Sequence, residues 1–305
     1  MYEFFQPILE FKNPVIFAIP IFLLAIGIEL WINYKERTGY YETKDSWACI
    51  SMGMGSAVLD VLGKSVFFLI FSYFYENMGF FKEQLAWTVL GWVILFFAED
   101  FSFYWHHRLS HQIRILWAAH VNHHSSQNFN LAVALRQSWT EVFYKYSFYI
   151  WLAIIGFPPI MILTQVSINL IFQFFTHTQR VKKLPAIIEL IFNTPSHHRV
   201  HHASNVLYLD KNHAGTLIIW DRMFGTFQAE LDKEPVVYGI TTNIHTFNPI
   251  KIAVSDFQLL WRDVKKAKNW RDKLKYIFYP PGWSPDGSTL TAVQMREQLA
   301  REKQI

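Results

Sequence analysis

Pro14 to Tyr34 is an almost uninterrupted apolar run, and about twenty such residues in a helix cross a hydrocarbon core of roughly 30 Å. It is the clearest transmembrane helix in the sequence and makes a membrane protein the first expectation. Composition points the same way: 51% of the 305 residues are hydrophobic and only 17% are charged, well away from a soluble domain. Twelve Trp, fourteen Tyr and twenty-eight Phe suit a chain that meets both hydrocarbon and headgroups.

Further spans follow. Ile50 to Tyr75 is long enough for a second helix, provided that Asp60 and Lys64, one turn apart, pair or face the protein interior. Leu85 to Trp105 makes a third, with the acidic pair Glu99 and Asp100 near its end. Val142 to Thr176 is interrupted by Gly156, Pro158 and Pro159, which predicts a tight hairpin of two membrane-embedded helices. The expected architecture is all-α: an integral membrane bundle of about four membrane-embedded helices, with a cytoplasmic helical cap beyond Arg180. Glu3 and Glu10 precede the first apolar run where a cleaved signal peptide would carry basic residues, so the first helix is expected to be retained.

Loop charge sets the orientation. Lys35, Arg37 and Lys44 follow the first helix, Arg108 and Arg114 the third, and Arg180, Lys182 and Lys183 the hairpin, so all three loops are expected on the cytoplasmic side, of a bacterial inner membrane or the endoplasmic reticulum. The loop around Glu76, Lys82 and Glu83 has no basic excess and falls opposite. Arg262 to Lys275 interleaves basic residues with Trp261 and Trp270, as a helix lying on an anionic bilayer would, or as a solvated basic helix would. No recognition motif accompanies the charge, which argues against nucleic acid as a partner.

Ten of the thirteen histidines lie in three blocks: His106, His107 and His111; His120, His123 and His124; His197, His198, His201 and His202. His107 and His111 are spaced i, i+4. The sets His120, His123, His124 and His198, His201, His202 are spaced i, i+3, i+4, which places each on one helical face. His106 and His197 project off those stripes and are not expected to be ligands. His177, at the cytoplasmic end of the hairpin, emerges beside the blocks and joins the set, whereas His213 and His245 lack local partners and stay outside it. Asp100 shares a stripe with Tyr104, His107 and His111 and is placed behind the ligands, accepting an imidazole N–H. Eight histidines exceed what one ion takes, and nine with His177 imply two metals with open positions. Cys49, the only cysteine, cannot build a thiolate site, and imidazole alone does not name the metal.

At Asp100 to His111 (DFSFYWHHRLSH), His120 to His124 (HVNHH), His177 and His198 to His202 (HRVHH) the sequence resembles the fatty acid hydroxylase superfamily of sterol desaturase-like membrane proteins. The likeness runs from about Gly91 to Gly282. Tyr208 to Gln228 (YLDKNHAGTLIIWDRMFGTFQ) and the tail WRDKLKYIFYPPGW are closest to alkylglycerol monooxygenase-like members, although His213 stands where relatives usually carry Tyr. The chain then divides into N-terminal membrane helices (1–90), a catalytic region (91–245) and a basic, aromatic membrane-surface segment (246–305).

The resemblance implies two iron ions and O2 as co-substrate, acting on an alkylglycerol, sterol or fatty acyl chain by hydroxylation, oxidative cleavage or desaturation. Electrons would come from tetrahydrobiopterin or a separate redox partner, since the segment before the first helix is too short for a fused haem domain. The alternatives are a C-5 sterol desaturase or sterol methyl oxidase-like enzyme and, in another class, a membrane metal-binding or transport protein. A transporter predicts ionisable residues aligned through the membrane, and only Asp60 and Lys64 lie deep in a span. A zinc protease would need His-Glu-x-x-His, which the chain lacks.

Overall fold

The structure, a computed structural model, describes residues 12–302; Glu3, Glu10 and the last three residues lie outside them. Among the described residues the chain is nearly all helix, with two isolated bridges, Phe192 to Leu217 and Ala203 to Tyr238, in place of any sheet. The principal helices are α1 (Pro14–Glu36), α2 (Thr43–Met78), α3 (Val89–Gln112), α4 (Arg114–His124), α5 (Pro159–Thr176), α6 (Pro195–His201), α7 (Pro249–Lys266), α8 (Trp270–Phe278) and α9 (Ala292–Glu302).

Three of these, α1, α2 and α5, are long and apolar enough to cross a membrane. Helix α1 starts on Asn13, whose side chain accepts from Val15 N, with Pro14 at the first helical position where its missing N–H costs nothing. Phe17, Leu23 and Leu24 of α1 and Val58, Val61 and Leu62 of α2 are exposed, as lipid-facing side chains must be. Helix α5 is the most enclosed of the three. It meets α1 through the stacked rings of Phe174 and Phe22, 4.0 Å apart, and packs against α2 and α3 around Phe71, Leu95, Leu152 and Ile162.

Polar groups inside this apolar frame are paired. Lys64 reaches Asp60 at 2.9 Å, as their one-turn spacing predicted, and Lys145 and Tyr146 both close on the same carboxylate at 2.7 Å. Glu29, buried in α1, accepts from Leu131 N at 2.9 Å, from Tyr41 and from Thr178, so it ties α1 to the loops on both sides of the histidine region. Charges in an apolar medium persist only with such partners.

The hairpin forms with an unequal first arm. Residues Lys145–Tyr149 are 3-10 and Ile150–Ile155 α-helical, and that stretch is too short to span. The reversal falls at Gly156, whose φ of +123° favours glycine. A Cβ there would meet the Phe81 and Lys82 backbone at 2.8 Å, where Phe80 N and Phe81 N bond the carbonyls of Ile154 and Ile155. The third expected span, Leu85 to Trp105, is not among the helices long and apolar enough to cross a membrane: α3 begins at Val89 and continues past Trp105 to Gln112, carrying Asp100, His107 and His111 on its polar second half.

Helices α7 and α8 fold back onto α4: Leu260 and Val264 close on Ala118, and Arg114 meets Asp263 at 2.6 Å. Trp261, Trp270, Leu274 and Phe278 remain exposed, as the apolar face of an interfacial helix pair would be.

Candidate metal centre

Four structural devices bring the histidines together. Helices α3 and α4 are separated by Ile113 alone, which caps the end of one and the start of the other. The sharp change of direction sets the last turns of α3 against α4, and His107 Nε2 meets His120 Nε2 at 3.0 Å. Arg136, fully buried, donates from Nε to Asn122 O and Ser125 Oγ and from Nη1 to Asp45, so a cation satisfies the carbonyl end of α4. Helix α5 ends on His177, its C-cap. Short helix α6 begins with a capping box between Thr194 and His197 and Pro195 at its first position.

The nine expected histidines fall into two groups. His107, His111, His120, His124 and His201 form one, and His123, His177, His198 and His202 the other; within each group one nitrogen per residue lies within 4.8 Å of all the rest. The groups adjoin: the rings of His124 and His202 stack with centroids 4.4 Å apart, and those of His123 and His124 lie 5.5 Å apart. Helices α4 and α6 therefore each serve both groups. The i, i+4 pairs stay together, as His120 with His124 and His198 with His202, while His123 and His201 turn to the other group.

The donor chemistry fits a metal. Nitrogen pairs face one another at 3.0 to 3.2 Å: His107 with His120, His124 with His120, His177 with His123 and His198 with His177. Two nitrogens bound about 2.1 Å from one ion at right angles are themselves about 3.0 Å apart. Nε2 of His111, His201 and His202 has no hydrogen-bond partner although buried, a costly state for a polar atom unless something binds it. Burial pushes the imidazoles of His123, His124, His198, His201 and His202 well below their usual range, reinforced by their neighbours, so they are neutral at pH 7 with lone pairs free.

Several of the opposite ring nitrogens are anchored, Nδ1 of His120 and His198 excepted. Nδ1 of His107 pairs with the carbonyl of His213 at 2.8 Å, Nδ1 of His177 with that of Gln173 at 2.8 Å and Nδ1 of His201 with that of Lys211 at 2.9 Å. Such contacts fix the tautomer and leave Nε2 for the metal. Asp210 acts likewise, with Oδ1 3.3 Å from His111 Nδ1, whereas Glu141 Oε1 lies 3.6 Å from His120 Nδ1, a charge beside the ring beyond hydrogen-bond distance.

Asp100 does not have the position expected of it. Its carboxylate accepts from the backbone of Thr216 and Leu217 at 2.7 and 2.9 Å, from Trp220 Nε1 at 2.9 Å and from Asn169, and none of these partners is an imidazole. It clamps the 216–220 turn to α3, because it sits about two turns before His107, level with that turn. Asp210 and Glu141 were missed: one lies in the YLDKNHAG element, and the other carries no spacing that links it to a histidine.

The histidines left outside the set stand apart. His106 faces Glu141 at 3.1 Å and His197 faces Glu189 at 2.9 Å, while His245 is exposed. His213 is the exception. It is fully buried, with its ring centroid 4.9 Å from that of His111. Beside the five-histidine group opens a cavity of about 420 Å³ whose lining includes His111, Trp117, His124, His201, Asp210 and Asp256. On the other flank a groove of about 570 Å³ runs past Lys182, Lys183, Arg199 and Tyr238, and Tyr238 stacks on Phe129, which covers His177 and His202.

Fold and site together define a helical membrane protein with a buried histidine centre suited to metal ions. Residues 92–226 match the fatty acid hydroxylase family. It is 39% identical over 286 residues to alkylglycerol monooxygenase of Homo sapiens and 36% identical over 283 residues to that of Xenopus tropicalis, in each case covering 92% of this chain and 62% of the relative. It is also 30% identical over 158 residues to an ornithine lipid hydroxylase of Rhizobium tropici, covering 52% of this chain and 46% of that protein. The chain thus spans about three fifths of the length of the alkylglycerol monooxygenases. No solved structure matches it.

Proposed function

We propose that this protein is a membrane-embedded monooxygenase that hydroxylates a lipid, with an ether lipid such as an alkylglycerol as the first substrate to test. The observation that carries the reading is the pair of adjoining five- and four-histidine groups inside the stretch that matches the fatty acid hydroxylase family. The nine histidines would hold two iron ions, His107, His111, His120, His124 and His201 one of them and His123, His177, His198 and His202 the other. When bound, such a pair supplies the activation of O2 needed to attack an unactivated C–H bond. Ether cleavage would follow from hydroxylation beside the ether oxygen, and desaturation is the competing outcome on the same site.

The residues around the site have defined parts in this reading. Buried neutral imidazoles hold the metals without neutralising their charge, and Asp210 and Glu141 return negative charge behind His111 and His120. Phe129 stacks on His177 and Trp117 packs tilted against His111, apolar cover that would keep water off the two groups. Exposed apolar faces of α1 and α2 put the domain in the bilayer, where an acyl or alkyl chain is available. The basic loops after α1, α3 and α5 support a histidine centre on the cytoplasmic side, where a separate electron donor, a tetrahydrobiopterin or a redox protein, would reach it.

A metal transporter is disfavoured because Asp60, Lys64 and Lys145 are paired with one another and form a single cluster, not a file of ionisable groups across the membrane, among the described residues. The test is protein purified in mild detergent, reconstituted with ferrous iron and given O2, a reduced pterin and an alkylglycerol. Two irons per chain and a hydroxylated or cleaved product by mass spectrometry are expected. One ion per chain would overturn the dinuclear site, and iron-loaded protein inert towards alkylglycerols, acyl lipids and sterols with every donor would overturn the enzyme.

A further inference from the structure

His213 is buried, and neither Nδ1 nor Nε2 has a hydrogen-bond partner. An unpaired imidazole withdrawn from water costs free energy on each polar atom, yet the backbone that carries it is held firmly. His213 N and Ala214 N both donate to Asp221, and the His213 carbonyl pairs with His107 Nδ1. The preceding residue, Asn212, has a φ of +57° and bonds through its side chain to the carbonyls of His197 and Gln228. Five hydrogen bonds, three from the main chain of residues 213 and 214 and two from the Asn212 side chain, thus hold the backbone of a side chain that makes none. What the ring faces is the five-histidine group: its centroid is 4.9 Å from His111, the same separation as between His111 and His201, and 5.7 and 5.8 Å from His107 and His201.

We infer that His213 supplies a sixth nitrogen to the metal held by the five-histidine group. The inference rests on the reading that this group holds a metal, and adds to it a residue that its nitrogens' present distance leaves outside the five-membered set. Ligation would take a turn of the His213 side chain between staggered wells, with the clamped backbone in place. Six nitrogens complete the sphere of a first-row ion. The five-histidine ion then has no vacant position, and the four-histidine ion keeps the open positions that an incoming ligand needs. The two metals are unequal by construction.

The first experiment is a structure of the metal-loaded wild-type chain. A ring nitrogen of His213 is expected about 2.0 to 2.3 Å from the ion in the five-histidine group. Both ions in place with His213 beyond hydrogen-bond reach would overturn the inference and leave the proposed function intact, whereas no ion in either group would overturn both. The second uses the cobalt-substituted protein. His213→Phe, which fills the same space, should raise the visible absorption of one ion several-fold as six-coordination becomes five-coordination, and weaken that ion at least about tenfold by competition dialysis. His245→Phe, at an exposed residue, is the control and should change neither. A folded His213→Phe protein with wild-type absorption and two unaltered affinities would refute the role of His213.

Discussion

His201 and His202, neighbours at the end of α6, give their imidazoles to different histidine groups, with ring centroids 5.3 Å apart and planes at 84°. One turn of backbone thus joins two sites. His201→Ala should weaken the ion of the five-histidine group and His202→Ala that of the four-histidine group, each by at least about tenfold. Iron per chain, measured after dialysis against a graded chelator, should fall from two towards one in both variants. A loss of both ions together in either variant would show one shared site.

The carboxylates separate by role. Glu141→Gln keeps an oxygen at His106 and His120 but removes its charge, and Asp210→Asn does the same behind His111. Each should cost about 10- to 100-fold in metal affinity or turnover with a nearly unchanged melting temperature. Asp100→Ala should do the reverse. It strands two backbone N–H groups and the Trp220 indole, a loss of about 3 kcal/mol or more, which thermal melting reads. The fraction that remains folded should still take two ions.

Much of this arrangement is legible in the sequence, and the limits have a physical cause. Helical phase distinguished eight clustered histidines from His106 and His197, because at 100° per residue each lies off its block's stripe, and His177 joined them by its place at the end of the hairpin. It could not divide the nine into five and four, since that depends on how α4 and α6 lie across α3 and α5. Asp100 was misplaced for the same reason: a shared stripe on α3 does not reveal that the Thr216–Trp220 turn covers it. The Asp60 and Lys64 pair was readable because both residues lie on one helix, whereas Lys145, the third member, comes from another segment and left no trace in spacing. The ends of α3 and the short first arm of the hairpin followed from packing, which periodicity does not report.

His106 and His197 test the phase argument directly. His197→Ala removes the capping box of α6 and its contact with Glu189, a cost of about 1 kcal/mol, and should leave two metals bound and most turnover. His106→Ala should also retain both ions, with a modest loss because Glu141 is freed to shift against His120. His107→Ala and His198→Ala should be inactive with normal membrane insertion. Equal inactivity in all four would mean that ligation does not follow helical face.

Metal loading should stabilise the fold. Without ions, Nε2 of His111, His201 and His202 remains buried and unpaired, so ligation offsets a desolvation cost that the apo chain carries. Free metal at a hundred times its dissociation constant adds about 2.7 kcal/mol per site. The melting temperature in detergent should therefore rise on adding ferrous iron and fall again with chelator. His120→Ala, which breaks the contacts to both His107 and His124, should lose the five-histidine group's share of that rise, about half, and an identical shift in this variant would place the bound metal elsewhere.

Topology is the remaining test. Lys35, Arg37 and Lys44 flank the end of α1, Arg108 and Arg114 the end of α3, and Arg180, Lys182 and Lys183 the end of α5, while the turn at Lys82 and Glu83 between α2 and α3 has no basic excess. Short basic loops resist translocation, so reporter fusions after Lys44, Glu83 and Ile305 should read cytoplasmic, external and cytoplasmic. The exposed Trp261, Trp270 and Phe278 of α7 and α8 then meet the cytoplasmic leaflet, and their quenching by brominated lipid should be stronger in anionic vesicles than in neutral ones. An external C-terminal reporter would put the histidine centre on the wrong side for a cytoplasmic electron donor, and the donor proposal would fall with it.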